Sequence, residues 1–172
     1  MRFGESTEGA TPEAIEELYR SRFRKFLKVA AGVAGERHAA DAVHNGFLRA
    51  LRHRRSFRAG ASLEAWVWRT VINAAHDMRR DDRDELLLDA CGETFEPSVN
   101  GRPPDGDPLV RAVILNLPPQ QRLSVFLRYY ADLDYQAIAK VLDVSPGTVA
   151  ATLHKAHATI RRQLEEDARC MI

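Results

Sequence analysis

Tyr135–His157, YQAIAKVLDVSPGTVAATLHKAH, is the stretch on which the reading of this chain turns. It reads as two short helices around a tight turn. Asp134 stands where an N-cap is needed, because its carboxylate can accept from an otherwise unpaired backbone N–H. Leu133 and Ile138 occupy the two positions of a hydrophobic staple. The second helix repeats the design: Ser145 caps, Pro146 fits the first helical position, and Val144 can staple to Val149. The turn lies around Leu142–Asp143. Ala139, Val141 and Leu142 give the first helix an apolar side, and Ala139 is small enough for a close crossing. Val149, Leu153, Ala156 and Ile160 give the second a stripe at helical spacing. Its opposite face carries Thr148, Ala151, His154 and Lys155, with Ala150 on the flank. Two caps and two staples around so short a turn fit a helix-turn-helix, whose second helix enters the major groove of DNA. The plainer alternative is a helical hairpin in a core.

A chain of 172 residues is long enough for one medium domain or two small ones. Its 45% hydrophobic and 28% charged residues are ordinary for a globular protein. A net charge of +1 looks wrong for a nucleic-acid binder, but the distribution matters more than the sum. Residues 1–80 hold 15 Lys and Arg against 9 Asp and Glu, and residues 109–172 hold 8 against 6. Residues 81–108 hold 2 against 9, so two basic lobes flank an acidic connector.

Other classes find little support. Cys91 and Cys170 match no metal spacing, and free thiols in a reducing cytoplasm are the simplest setting. There is no HExxH or CxxC, and the pair His154 and His157 lacks convergent ligands. The expectation is therefore no catalytic residue, no metal and no cofactor. Met1–Ala10 has no apolar segment of the signal-peptide kind, and no run reaches membrane-spanning length. Membrane insertion is not expected, and a cytoplasmic location is.

Upstream, Thr11-Pro12-Glu13 opens a helix with an apolar stripe of Ile15, Leu18, Tyr19, Phe23, Phe26, Leu27 and Ala30, ended by Gly32 and Gly35. A second helix runs from about Glu36 to Arg54. After a loop at Ser56–Ala61, Ser62 caps a third, from Leu63 to about Arg80. The third helix turns Leu63, Trp66, Val67, Val71, Ala74 and Met78 inward. Its other side shows Trp68, Arg69, Asn73, His76, Asp77 and Arg80, a mixture suited to base contact and stacking, or simply to a solvated face. Asp81–Asp107 is rich in Asp, Pro and Gly and predicts at most a helical turn at Glu85–Ala90. Fully extended, it would reach about 80 Å, against roughly 34 Å between DNA sites one helical turn apart. A helix at Leu109–Leu117 and another after Pro118-Pro119 precede the helix-turn-helix. No strand pattern is found. The fold class is all-α: two small helical domains, residues 11–80 and 109–168, joined by a flexible acidic linker at 81–108.

In this order, DAVHNGFLRAL at 41–51, FRAGASLEAWVWRTVINAAHD at 57–77 and LPPQQRLSVFLRYYADLDYQAIAKVLDVSPGTVAATLHKA at 117–156 resemble the extracytoplasmic-function (ECF) sigma factors of bacterial RNA polymerase, of the sigma-70 family. The resemblance implies a sigma-2-like and a sigma-4-like domain, and a non-enzymatic subunit that directs core polymerase to promoters and assists melting. It implies that Asp41, His44, Asn45, Leu48 and Arg49 dock on the clamp of the polymerase largest subunit. Arg58, Gly60, Ala61 and Ser62, with Trp68, Arg69, Asn73 and Asp77, would read the minus-ten element, where a flipped base needs a pocket and stacking partners. Arg128 with Thr148, Ala150, Ala151, His154 and Lys155 would read the minus-thirty-five element. The partners implied are core polymerase, promoter DNA and an anti-sigma factor. His44-Asn45 replaces the family's usual Gln followed by an acid, and Asp143 replaces the usual turn glycine. Ala150, Thr152 and His157 stand where the family is often basic, so DNA binding without polymerase should be weak. The other reading is a stand-alone helix-turn-helix regulator, which would bind duplex DNA without polymerase, as a dimer on a palindrome.

Overall fold

Thr11 sets where the chain becomes helical: its Oγ1 accepts the Ala14 N–H at 3.2 Å, and Pro12 follows at the first position. The computed structural model describes residues 9–58, 61–88 and 108–170. Helix α1, Pro12–Ala34, ends at Gly35, where φ is 88° and the N–H turns back to the Ala31 carbonyl. Gly32, expected to help end this helix, lies inside it and is buried. Helix α2 is Glu36–His53, followed by a 3-10 turn at Arg54–Ser56. Helix α3 is Leu63–Leu88, with the Ser62 Oγ accepting the Ala65 N–H at 3.2 Å. It continues past Arg80, where the acidic composition predicts a linker; residues 89–107 lie outside the described residues.

These three helices form one bundle around an aromatic centre. Phe26 is fully buried, 4.9 Å edge-on from Phe47 and 3.9 Å from Trp68, ring centre to ring centre. Val29, Val43, Val67 and Val71 complete the core. Gly46 is required where α2 crosses α3, because a Cβ there would lie 2.5 Å from Val71 Cα.

The second lobe is α4, Pro108–Leu115; α5, Pro119–Tyr129; α6, Tyr135–Leu142; and α7, Pro146–Cys170. The local chemistry of the helix-turn-helix is realised closely. The Asp134 carboxylate accepts the Ala137 N–H at 2.7 Å, and the Ser145 Oγ accepts the Thr148 N–H at 3.1 Å. Asp143 is left-handed, with φ 58° and ψ 46°, a conformation that a short polar residue tolerates better than a bulky one. Leu133 and Ile138 are both buried, as a staple requires. Val144, the outer half of the second staple, remains exposed. No strand occurs among the described residues.

The two lobes are docked on one another, α1 against α5 and α3 against α6. At the centre, Gly32 faces the Phe126 ring so closely that a Cβ would sit 2.3 Å from Cε2. Around it, Lys25 pairs with Asp132, Arg111 with Glu36 and Arg69 with Asp143, while Lys28 lies 5.5 Å over the Tyr130 ring. The ion pairs are largely solvent-exposed, so screening leaves each a small contribution. The apolar contact at Gly32 therefore decides the fit. The long connector leads one to expect lobes apart; complementary surfaces bring them together.

Candidate nucleic-acid interfaces and docking face

The second helix of the helix-turn-helix divides cleanly. Val149, Leu153 and Ala156 are buried against the lobe, whereas Thr148, Ala151, His154 and Lys155 are exposed and Ala150 is half-buried beside them. The cap fixes the first of these, since Thr148 Oγ1 lies 2.9 Å from Ser145 Oγ. Arg128, on α5, is half-buried. Its guanidinium donates to the Leu133 carbonyl at 3.2 Å and lies 5.9 Å over the Tyr135 ring. It therefore braces the entry to α6 while leaving part of its surface accessible.

On the first lobe, Arg58 and Ala61 are exposed and Ser62 is occupied as the cap of α3; Gly60 lies outside the described residues. Along α3, Asn73 and His76 are exposed, and Asp77 is partly so. Trp68 corrects the sequence reading. It is fully buried, packed on Phe26, with its indole N–H directed to Glu64 Oε1 at 3.4 Å. It belongs to the core and offers no face to a base. The helix carries apolar residues on both Trp66 and Trp68, and α1 claims the second; Trp66 instead sits half-buried, 5.6 Å from Phe57. Arg69 reaches across to the turn of the helix-turn-helix, its Nη2 2.9 Å from Asp143 Oδ2.

The expected docking residues of α2 share one side. Asp41, His44 and Arg49 are exposed, with Asn45 and Leu48 half-buried between them, while Ala42, Val43, Gly46 and Phe47 face the core. Arg49 also joins this side to α3 through a 2.6 Å ion pair with Asp77. The two expected surfaces are thus contiguous.

Sequence reasoning named Arg49, His76 and Arg80 but passed over Arg79, which joins them. A surface groove of about 610 Å3 is lined by Arg49, Asn73, His76, Asp77, Arg79 and Arg80. Partial burial, then Arg79 and Arg80, lower the His76 pKa below the ordinary histidine value, with Asp77 opposing. The signal was present in the pair Arg79-Arg80 but was overshadowed by the acids that follow. Of the pair His154 and His157, the second has its Nε2 2.9 Å from the Tyr129 hydroxyl. Among the described residues no group of three His, Cys, Asp or Glu side chains is placed to hold a metal ion, and no helix is long and apolar enough to cross a membrane. Cys91 and the side chain of Cys170, expected as free thiols, lie outside the described residues.

Comparison with known proteins places these surfaces in a context. The family profile described as Sigma-70 region 2 matches residues 18–85, and that described as Sigma-70, region 4 matches residues 109–160. The ECF RNA polymerase sigma-E factor of Haemophilus influenzae is 25% identical over 140 residues, covering 73% of this chain and 74% of its own. The ECF RNA polymerase sigma factor SigW of Bacillus subtilis is 25% identical over 167 residues, covering 88% of each. Among solved structures, the sigma factor RpoE of Bartonella quintana, in complex with the anti-sigma factor NepR, superposes with a TM-score of 0.73. It has 19% identity, over 89% of this chain and 98% of that one.

Proposed function

This chain belongs to the extracytoplasmic-function group of the sigma-70 family, and from that premise we propose how its surfaces direct RNA polymerase to promoters. Residues 11–80 act as the sigma-2-like unit and residues 109–168 as the sigma-4-like unit. Asp41, His44, Asn45, Leu48 and Arg49 dock on the clamp of core polymerase. Arg58, Gly60, Ala61, Ser62, Arg69, Asn73 and Asp77 read and hold the minus-ten strand. Arg128 and the face Thr148, Ala150, Ala151, His154 and Lys155 read the minus-thirty-five duplex. Trp68 is left out, because a ring sealed in the core cannot stack on a base.

The observation that carries this reading is the exposure of one candidate DNA face on each lobe, with the exposed side of α2 adjoining that of the first lobe. The chain supplies contacts and strand separation rather than bond chemistry, and polymerisation belongs to the core enzyme, which places it in the cytoplasm. Arg69 must exchange Asp143 for DNA when it reads the minus-ten element. Since the related Bartonella protein is solved with an anti-sigma factor, we extend that partner class to this chain.

The test is transcription in vitro with purified core polymerase on promoters from the source genome. Promoter-dependent transcripts that require this chain are the expected result, with Asn73→Ala changing minus-ten preference and His154→Ala or Lys155→Ala weakening minus-thirty-five binding. Absence of core binding together with absence of promoter-dependent initiation would overturn the proposal. Tight binding of a palindromic duplex by the chain alone would favour a stand-alone regulator.

A further inference from the structure

The start of α7 carries few of the donors that base reading ordinarily uses. Thr148, Ala151, Thr152 and Lys155 fall at the i, i+3, i+4, i+7 spacing of one helix face. Thr148, Ala151 and Lys155 are exposed, and Thr152 is half-buried beside them, as is Ala150 on the other flank. A threonine hydroxyl has one proton to give. Thr152 gives its own to the Thr148 carbonyl, at 2.8 Å. The Ser145 and Thr148 hydroxyls lie 2.9 Å apart, so one of their two protons is spent between them, and Ser145 Oγ also accepts the Thr148 N–H. Purine edges in the major groove offer N7, and guanine also O6, as acceptors that call for donors. Strong donors on this face begin only at His154 and Lys155, about two turns into the helix. The first two turns carry methyl groups instead: those of Ala150 and Ala151, and the γ-methyls of Thr148 and Thr152. Without a cation at 150 or 152, this stretch trades backbone attraction for apolar surface.

We propose that Ala151 and Thr152 read the minus-thirty-five element through the 5-methyl groups of thymines. The inference rests on the reading of α7 as the minus-thirty-five helix. In a helix-turn-helix the N-terminal residues of the second helix meet the base edges, and these two follow closely on Pro146, where α7 begins. Among the four bases only thymine presents a methyl group in the major groove. Bringing it against an alanine or threonine methyl removes both from water, which is worth about fourfold in affinity per methyl buried. Thr152 adds selectivity. With its proton committed to the Thr148 carbonyl, its hydroxyl oxygen is left only to accept, and it has nothing to offer the O6 and N7 of guanine. Lys155, on the next turn, supplies the charge that a phosphate or a purine edge needs. The element is thus read as a pattern of thymine methyls with a cationic contact at one end.

The experiment measures the affinity of the assembled holoenzyme for a promoter that it transcribes. Base-pair substitutions first delimit the minus-thirty-five element. Each thymine of that element, on either strand, is then replaced by deoxyuridine, which pairs like thymine but lacks the 5-methyl group. At one or two thymines the replacement should lower affinity about fourfold. The same replacement in the spacer between the two elements should do nothing. Thr152→Ser keeps the hydroxyl bond and removes one protein methyl, and Ala151→Gly removes the other. In each variant the thymine-to-uracil affinity ratio at one of those sites should fall from about four to about one. Thr152→Val, which keeps a methyl and drops the hydroxyl, should preserve the ratio. Each ratio is taken within one preparation, so a partly unfolded variant reports the same value. An element without thymine on either strand, uracil tolerated at every position, or a penalty that survives both methyl-removing variants overturns the inference. If base-pair substitutions in the element still weaken binding, the minus-thirty-five reading stands without it; if they do not, that reading fails as well.

Discussion

Gly32→Ala should open the contact between the lobes while stabilising the first of them. Alanine is about 1 kcal/mol more favourable than glycine inside a helix, and residue 32 lies within α1. The added Cβ, however, would stand 2.3 Å from Phe126 Cε2 and 2.7 Å from its Cδ2 and Cζ. Carbon atoms prefer about 3.5–4.0 Å, so the ring must retreat by more than about 1 Å. Phe126 is only 9% exposed and lies in an apolar cluster that runs through both lobes, so a rigid retreat of the ring pushes the second lobe away with it. The surrounding ion pairs are solvent-exposed and offer little resistance. Small-angle scattering should report a larger radius of gyration for the variant. Chemical denaturation should show the first lobe more stable by up to about 1 kcal/mol. An unchanged radius would mean that Phe126 accommodates a methyl group, and would refute the claim that this glycine sets the docking.

Three other substitutions separate the roles assigned above. Trp68→Ala should cost about 3–5 kcal/mol through the cavity beside Phe26, with Trp68→Phe much milder; normal urea stability with lost minus-ten binding would instead return the ring to DNA. Ser145→Ala should cost about 1 kcal/mol through the lost Thr148 N–H contact, read by thermal melting of the second lobe and by weaker minus-thirty-five binding. The third concerns pH. Around His76 the charged groups are Arg79, Arg80 and Asp77 on α3 and Arg49 on α2. Because its folded pKa lies below the reference value of 6.5, the neutral ring is favoured on folding. The associated stability is present above about pH 6.5 and is lost as pH falls through the depressed folded value. His76→Gln should therefore narrow the difference in melting temperature between pH 7.5 and 5.5, and an identical difference would count against this environment.

The helix-turn-helix was legible almost residue by residue, because its signals are local. Asp134 and Ser145 reach N–H groups three residues ahead, and the apolar stripe of α7 follows from helical periodicity alone. For the same reason the exposed face of α7 could be listed in advance, whereas the α2 residues were named only through the family resemblance. Where the reading failed, two helices competed for one side chain or one signal covered another. Trp68 sits on a helix with apolar residues over a wide arc, and only the position of α1 decides that it is covered. The acids after Arg80 announced a linker, yet acidic residues do not break a helix, and α3 runs on to Leu88.

Helical class, the positions of the caps, and the sidedness of the DNA-facing helix were thus set within a few neighbouring residues of the chain. The docking of one lobe on the other and the burial of Trp68 were decided only in three dimensions. Each requires groups distant in sequence to meet, and the energy of such a meeting depends on shape and charge over the whole contact. Gly32 shows the difference: along the chain it reads as the end of a helix, and against Phe126 it is the space into which another lobe fits.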